Sequence, residues 1–135
     1  MKFPSIALTT LLVAVFSLFG CKGQPQWQNM NPDEFAQAIA GEKVQIVDVR
    51  TSKEYQQGHI ENALNIDVTA DTFDRQAEEL LDTQRPIAVY CRSGNRSTKA
   101  IHRLAAAGYK TIYHLEGGIK SWTAAQKPVV QESEE

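Results

Sequence analysis

The chain has 135 residues, 42% hydrophobic and 22% charged, enough for one compact domain and too little for two of ordinary size. With 16 acidic against 14 basic side chains and a mean hydropathy of -0.35, it fits neither a disordered acidic protein nor a polytopic membrane protein. A net charge of -2 with no basic block gives a duplex nucleic acid little to hold, and two cysteines cannot build a disulfide framework.

In chain order, Lys2 precedes an apolar run from Ile6 to Phe19, short of the roughly 20 residues a bilayer span needs. One basic residue, a short apolar stretch and a small residue before a cut point describe an export signal. Leu18-Phe19-Gly20-Cys21 resembles the lipobox of bacterial lipoproteins, although Phe19 is bulkier than that pattern usually carries. The resemblance implies a signal peptide over residues 1–20, cleavage before Cys21 and lipidation of its sulfur. The product would be exported and anchored in the cell envelope. Lys22 after the cysteine resembles sorting to an outer membrane, with the protein facing the periplasm. Cys91 is then the one free thiol.

Residues 21–30 are polar, with Gly23 and Pro25, and are expected to be a lipid-anchored tether from which Trp27 touches the domain. Asn31-Pro32-Asp33-Glu34 combines a cap, a proline at the first helical position and a glutamate three after the cap, so a helix starts there and ends at Gly41. Its apolar face is Phe35, Ala38 and Ile39. The β-branched run from Val44 to Val49 predicts a strand buried on both faces. Ser52 is expected to cap a single helical turn ended by Gly58. Between Asp71 and Asp82, Phe73, Ala77, Leu80 and Leu81 recur at helical spacing, and Arg85-Pro86 stops the helix. A second buried strand spans Ile87 to Tyr90. The following helix places Ala100, Ile101, Leu104 and Ala105 on one face and finishes at Gly108. Thr111 to Leu115 reads as a third strand, Gly117-Gly118 as a turn, and Ile119 to Ala125 as a last helix carrying Trp122. The domain is expected over residues 31–127, with a frayed acidic tail at 128–135. Strands alternating with helices predict a mainly parallel sheet with helices on its faces.

The chemistry concentrates where the second strand ends. In open α/β sheets ligands bind beyond the carboxyl ends of the strands, and here Cys91-Arg92-Ser93-Gly94-Asn95-Arg96-Ser97 occupies that position. A tight loop opening a helix turns several N–H groups inward, and Gly94 supplies the positive φ such a curl needs. The helix N-terminus adds about half a positive charge, and Arg92 and Arg96 add two more. Such surroundings lower a cysteine pKa from about 8.5 into the range of about 3.5 to 7.5, which makes Cys91 a nucleophile in a pocket for small anions. The competing reading is an inert core cysteine. His59, His102 and His114 match no metal-binding spacing, and none is near Cys91 in sequence, so a Cys–His pair could arise only by folding. A lone domain cysteine excludes an internal Cys-x-x-Cys couple, and no nucleotide-binding glycine motif is present; neither a metal nor an organic cofactor is expected.

Four separated segments occur in order: Asp48-Val49-Arg50; Glu54-Tyr55 with Gly58-His59-Ile60, Ala63 and Asn65-Ile66; Val89 to Ser97; and Leu115-Glu116-Gly117-Gly118 with Trp122. Together they resemble the single-domain rhodanese family across the whole domain. The resemblance implies a rhodanese-like α/β fold, a central mainly parallel sheet flanked by helices on both faces. It also implies a sulfurtransferase. Cys91 would take the outer sulfur of thiosulfate or another sulfane donor as a persulfide, and cyanide or a thiol would remove it. Arg92 and Arg96 would bind the anionic donor, and the N–H groups of Ser93, Gly94, Asn95, Arg96 and Ser97 would cradle the sulfur.

Phosphatases and arsenate reductases of similar layout carry arginine six residues after the cysteine. Here Arg96 is five after Cys91 and Ser97 follows, a smaller ring that suits sulfur better than a tetrahedral phosphate. A non-catalytic module that binds a partner or sulfide is the further alternative. By the resemblance, Asp48, Arg50, Glu54 and His59 fix the fold beside the site rather than act in it.

Overall fold

The computed structural model describes Lys2 and residues 26–132. The expected signal peptide, the lipidation residue Cys21 and the first half of the tether lie outside the described residues.

The described chain alternates strand and helix: β1 (Gln28–Met30), α1 (Pro32–Ile39), β2 (Gln45–Asp48), α2 (Ser52–Gln57), β3 (Leu64–Asn65), α3 (Phe73–Leu80), β4 (Ile87–Tyr90), α4 (Asn95–Ala106), β5 (Ile112–Leu115) and α5 (Gly118–Ala124). The strands form one sheet in the order β1-β5-β4-β2-β3, and every pairing is parallel. This is the expected α/β architecture with two more strands than the periodicity predicted. Side chains alternate across the pleat. Val47, Val49, Ile87, Val89 and Cys91 therefore join a core layer with Phe73, Ala77, Ala100, Ile101 and Leu104 of α3 and α4. Ile46, Ala88 and Tyr90 face the opposite layer, with Phe35 of α1 and Ile119 and Trp122 of α5.

Local chemistry explains most of the boundaries. Glu34 N–H donates to the Asn31 side chain at 2.9 Å and Asn31 N–H to the Glu34 carboxylate at 3.3 Å, the reciprocal box that starts α1. The turn at α2 uses the same device one residue earlier than expected: Thr51, not Ser52, is the cap, and Glu54 closes the box. Helix α3 starts at Phe73 rather than Asp71, with Thr72 as an N-cap residue that makes no side-chain cap bond. Leu81 is buried as expected, but Leu80, the last residue of α3, is 54% exposed.

Two segments read as loose are part of the sheet or packed on it. Gln28–Met30, assigned to the tether, is an edge strand in register with Tyr113–Leu115. Two polar residues and one methionine are too short a run to show hydrophobic alternation, and parallel backbone pairing forms the strand. Trp27 just before it packs edge-on against His102, 5.1 Å between ring centroids. At the other end, Val130 and His59 exchange backbone hydrogen bonds of 2.8 and 2.9 Å, Trp122 Nε1–H donates to the Pro128 carbonyl at 2.8 Å, and Lys127 pairs with Asp33 at 2.7 Å. The first residues of the expected acidic tail thus lie against the domain.

Candidate functional site

Cys91 follows β4 directly, and the chain curls through Arg92 and Ser93 to Gly94, whose left-handed φ of 117° sets up the first turn of α4. The curl carries Gly94 N–H back onto Cys91 Sγ at 3.1 Å, and Ser97 Oγ approaches the same sulfur at 3.2 Å. The left-handed conformation expected of Gly94 is what the turn uses.

The sulfur lies deeper than the loop sequence suggested. Cys91 is 1% exposed and sits on the α4-side face of the sheet among apolar neighbours. Burial by itself pushes its thiol pKa up. The hydrogen bond with Ser97 and the N–H groups of Ser97, Gly94 and Ser93 more than offset it, leaving the thiol below its ordinary 9.0. A buried, inert cysteine would show burial without those donors, and here they converge on one atom.

A second glycine holds this geometry from outside. A Cβ on Gly118 would stand 2.4 Å from the carbonyl carbon and oxygen of Arg92 and 2.6 Å from the Cys91 oxygen. That close approach lets Ile119 N–H donate to the Cys91 carbonyl at 2.9 Å and Lys120 N–H to the Arg92 carbonyl at 3.1 Å. The start of α5 therefore clamps the backbone that presents the sulfur.

The flanking charged residues divide by role. Asp48 and Arg50 form a buried pair: Arg50 Nε donates to both carboxylate oxygens at 3.0 and 3.1 Å, and its Nη2 to Asp48 at 2.7 Å and to the Gly58 carbonyl at 2.7 Å. The Tyr90 hydroxyl accepts from Ile60 N–H at 3.0 Å, and His59 stacks on Tyr55 at 3.7 Å. These contacts join β2, β4 and the 58–60 segment. Arg96 is not free: its two terminal nitrogens donate to Glu54 at 2.7 and 2.8 Å. That ion pair, with the Thr51 donors, pulls the Glu54 pKa from 4.5 to about 2. Arg96 as an anion binder thus meets a competing carboxylate, and Glu54, expected to be structural, ties α2 to the cysteine loop.

Arg92, Ser93 and Asn95 are exposed. Arg92 and Lys120 face a cavity of about 390 Å³ that Arg50, Glu54, Ile119 and Thr123 also line. Among the described residues neither Arg92 nor Lys120 has an acidic partner within ion-pair distance. A larger cavity of about 800 Å³ lies between α3 and α4 beside Asp74, Glu78 and Asp82; Cys91 lines neither cavity, and only the smaller one includes a residue of the cysteine loop, Arg92.

Sequence reasoning missed one set of residues. His114 of β5 places Nε2 2.6 Å from Ser97 Oγ and Nδ1 2.9 Å from Asn29 Oδ1 of β1. No histidine touches the sulfur, yet one stands a single hydroxyl away. The signal available was a histidine inside an otherwise apolar strand.

The chain from residue 31 to 125 matches the family model described as a rhodanese-like domain. It is 37% identical over 103 residues to the tRNA uridine(34) hydroxylase of Yersinia pestis, a match covering 73% of this chain and 28% of that protein. The chain therefore spans little more than a quarter of the curated relatives it matches. Among solved structures it is similar to a rhodanese-related protein from Thermoplasma volcanium, at 31% identity and TM-score 0.67 over 78% of this chain and 100% of that one. A rhodanese-like domain protein from Staphylococcus aureus superposes with TM-score 0.66 at 29% identity, over 78% of this chain and 99% of the other.

Proposed function

The chain belongs to the rhodanese-like family, and from that premise we propose that it is a sulfurtransferase that carries a sulfane sulfur as a persulfide on Cys91. The observation that carries this reading is the convergence on one buried sulfur of Gly94 N–H, Ser97 Oγ and the N–H groups of Ser93 and Ser97, which together hold the thiol pKa down despite burial.

The Cys91 thiolate attacks the outer sulfur of thiosulfate or of a persulfide donor. A bond forms between Sγ and that sulfur, and the donor's S–S bond breaks. With thiosulfate, sulfite departs with the electron pair. The acceptor, a thiol or cyanide, then attacks the outer persulfide sulfur and the Cys91 thiolate leaves. The inward donors stabilise the anionic sulfur at both stages, because a thiolate and a persulfide anion occupy nearly the same ring. Arg92 and Lys120, both lining the small cavity without acidic partners among the described residues, supply the charge that draws in an anionic donor. Arg96 contributes through its field and through the Glu54 contact that fixes the loop.

Hydroxylation of a tRNA uridine is a second reading, favoured only by the name of relatives that match over 28% of their length. We also propose that Cys21 is lipidated and that the domain stands on an envelope membrane. Globomycin-sensitive processing is the expected result, and a Cys21→Ala variant that still fractionated with membranes would refute it.

Incubating the full chain with thiosulfate and measuring peptide masses tests the main proposal. The Cys91 peptide should gain one sulfur atom, and adding cyanide should remove it as thiocyanate. Equal thiocyanate production by Cys91→Ser would sink the reading.

A further inference from the structure

His114 is an unusual occupant of its strand. It lies between Tyr113 and Leu115, is 6% exposed, and both ring nitrogens are engaged. The partners fix which nitrogen carries the proton. An indole nitrogen only donates, and Trp27 Nε1–H reaches the Asn29 side chain at 3.0 Å, so the Asn29 atom it meets is the oxygen. The same oxygen stands 2.9 Å from His114 Nδ1, which must therefore bear the hydrogen. Nε2 is left as a bare acceptor 2.6 Å from Ser97 Oγ. The Ser97 hydroxyl has one proton, and this is a shorter path than its 3.0 Å alternative, the Gly94 carbonyl. With its hydrogen aimed at Nε2, Ser97 presents lone pairs to Cys91 Sγ at 3.2 Å. Every link then runs one way: sulfur to hydroxyl, hydroxyl to imidazole, imidazole to Asn29.

We propose that His114 holds the proton Cys91 gives up, received through the Ser97 hydroxyl, and is thus a positioning residue for the nucleophile. The inference rests on the sulfurtransferase reading for its purpose, and on this hydrogen-bond chain for its geometry. The Cys91 S–H bond breaks and its proton passes to Ser97 Oγ, while the Ser97 proton passes to His114 Nε2. Nothing is oxidised or reduced. The product is a thiolate accepting from Gly94 N–H and Ser97 O–H, with an imidazolium two hydrogen bonds away.

The charges around the pair are consistent with this exchange. Two influences on His114 oppose each other: burial, the larger, disfavours the imidazolium and leaves the resting ring neutral and able to accept, while Glu116, just after β5, favours the charged form once the proton arrives. From α4, Arg96 faces the thiolate, and Glu54 of α2 partly neutralises it. Arg92 follows Cys91 in the loop, and Lys120 of α5 lines the same small cavity as Arg92. β1 contributes only the neutral Asn29 and the preceding Trp27. No carboxylate bonds to the imidazole, which leaves the proton free to return.

The test is the rate of Cys91 alkylation by iodoacetamide, a neutral reagent, in the full chain, read from the mass of the Cys91 peptide across pH ~4–9. Two coupled groups give two macroscopic steps, so the wild-type rate should rise in two stages with a shoulder on the acid side. His114→Gln and Ser97→Ala should collapse this to one step and slow alkylation at neutral pH about tenfold, the thiolate fraction lost when the midpoint rises by one pKa unit. Asn29→Asp keeps an oxygen for both Trp27 and His114, favours the imidazolium, and should raise the acid shoulder. A two-step profile retained in His114→Gln, or a single step in the wild type, overturns the proposal. Should His114→Gln fail to fold, Asn29→Asp decides, and an unchanged shoulder in that variant overturns it equally. A two-step profile in a protein that takes up no sulfur from thiosulfate would remove the sulfurtransferase reading and leave the proton path standing.

Discussion

Gly118→Ala is the most exacting perturbation of this site, because the added methyl has nowhere to go. Its carbon would stand 2.4 Å from the Arg92 carbonyl carbon and oxygen, atoms of backbone that cannot rotate aside. The residue also has φ of 62°, a conformation costing a non-glycine residue about 1 kcal/mol. Overpacking against fixed backbone adds about 1–3 kcal/mol. Displacing α5 weakens the two hydrogen bonds to the Cys91 and Arg92 carbonyls, each contributing about 1 kcal/mol. The total is about 4–6 kcal/mol with both hydrogen bonds lost, or a fall in Tm of roughly 16–24 °C for a domain of this size. Gly108→Ala is the internal control. Its φ of 103° is also left-handed, but nothing lies within 4 Å of the new carbon, so only the conformational cost of about 1 kcal/mol remains. Thermal unfolding of both variants, followed by circular dichroism, separates strain from collision. If Gly118→Ala melts within a few degrees of Gly108→Ala, the clamp on the cysteine backbone is not what the geometry implies.

Two further outcomes follow from the charged residues. Arg50→Met strands the fully buried Asp48 carboxylate and should cost about 3–5 kcal/mol in denaturant unfolding, whereas Asp48→Leu combined with Arg50→Met should recover much of the loss. The Glu54 carboxyl has a lower pKa folded than unfolded, so the stability it contributes is present above pH 4.5 and lost as pH falls towards about 2. Because the pair is partly exposed, solvent screening limits this to about 1 kcal/mol. Glu54→Gln should flatten acid unfolding over that window, and an acid titration identical to wild type would refute the link.

What the sequence determined by itself was whatever is written in neighbouring residues. The capping box at Asn31, the β-branched runs of β2 and β4, the cysteine at a strand end and the positive-φ glycine in its loop are local rules, and each was legible before any fold was known. So was the parallel α/β layout, because alternating strand and helix periods leave few ways to bury both faces of a sheet. Tertiary structure decided the rest. Gln28–Met30 is a strand only because β5 offers it a parallel edge, and Val130 is held only because His59 faces it. Arg96, legible as a cation, became half of an ion pair when folding brought Glu54 to it from another helix. The line from Cys91 through Ser97 and His114 to Asn29 joins three strands and a helix, with its last two members 85 residues apart in the chain. Hydrogen bonds of that kind depend on distances of a few ångströms across a sheet, and spacing along a polymer carries no such information until the strands are side by side.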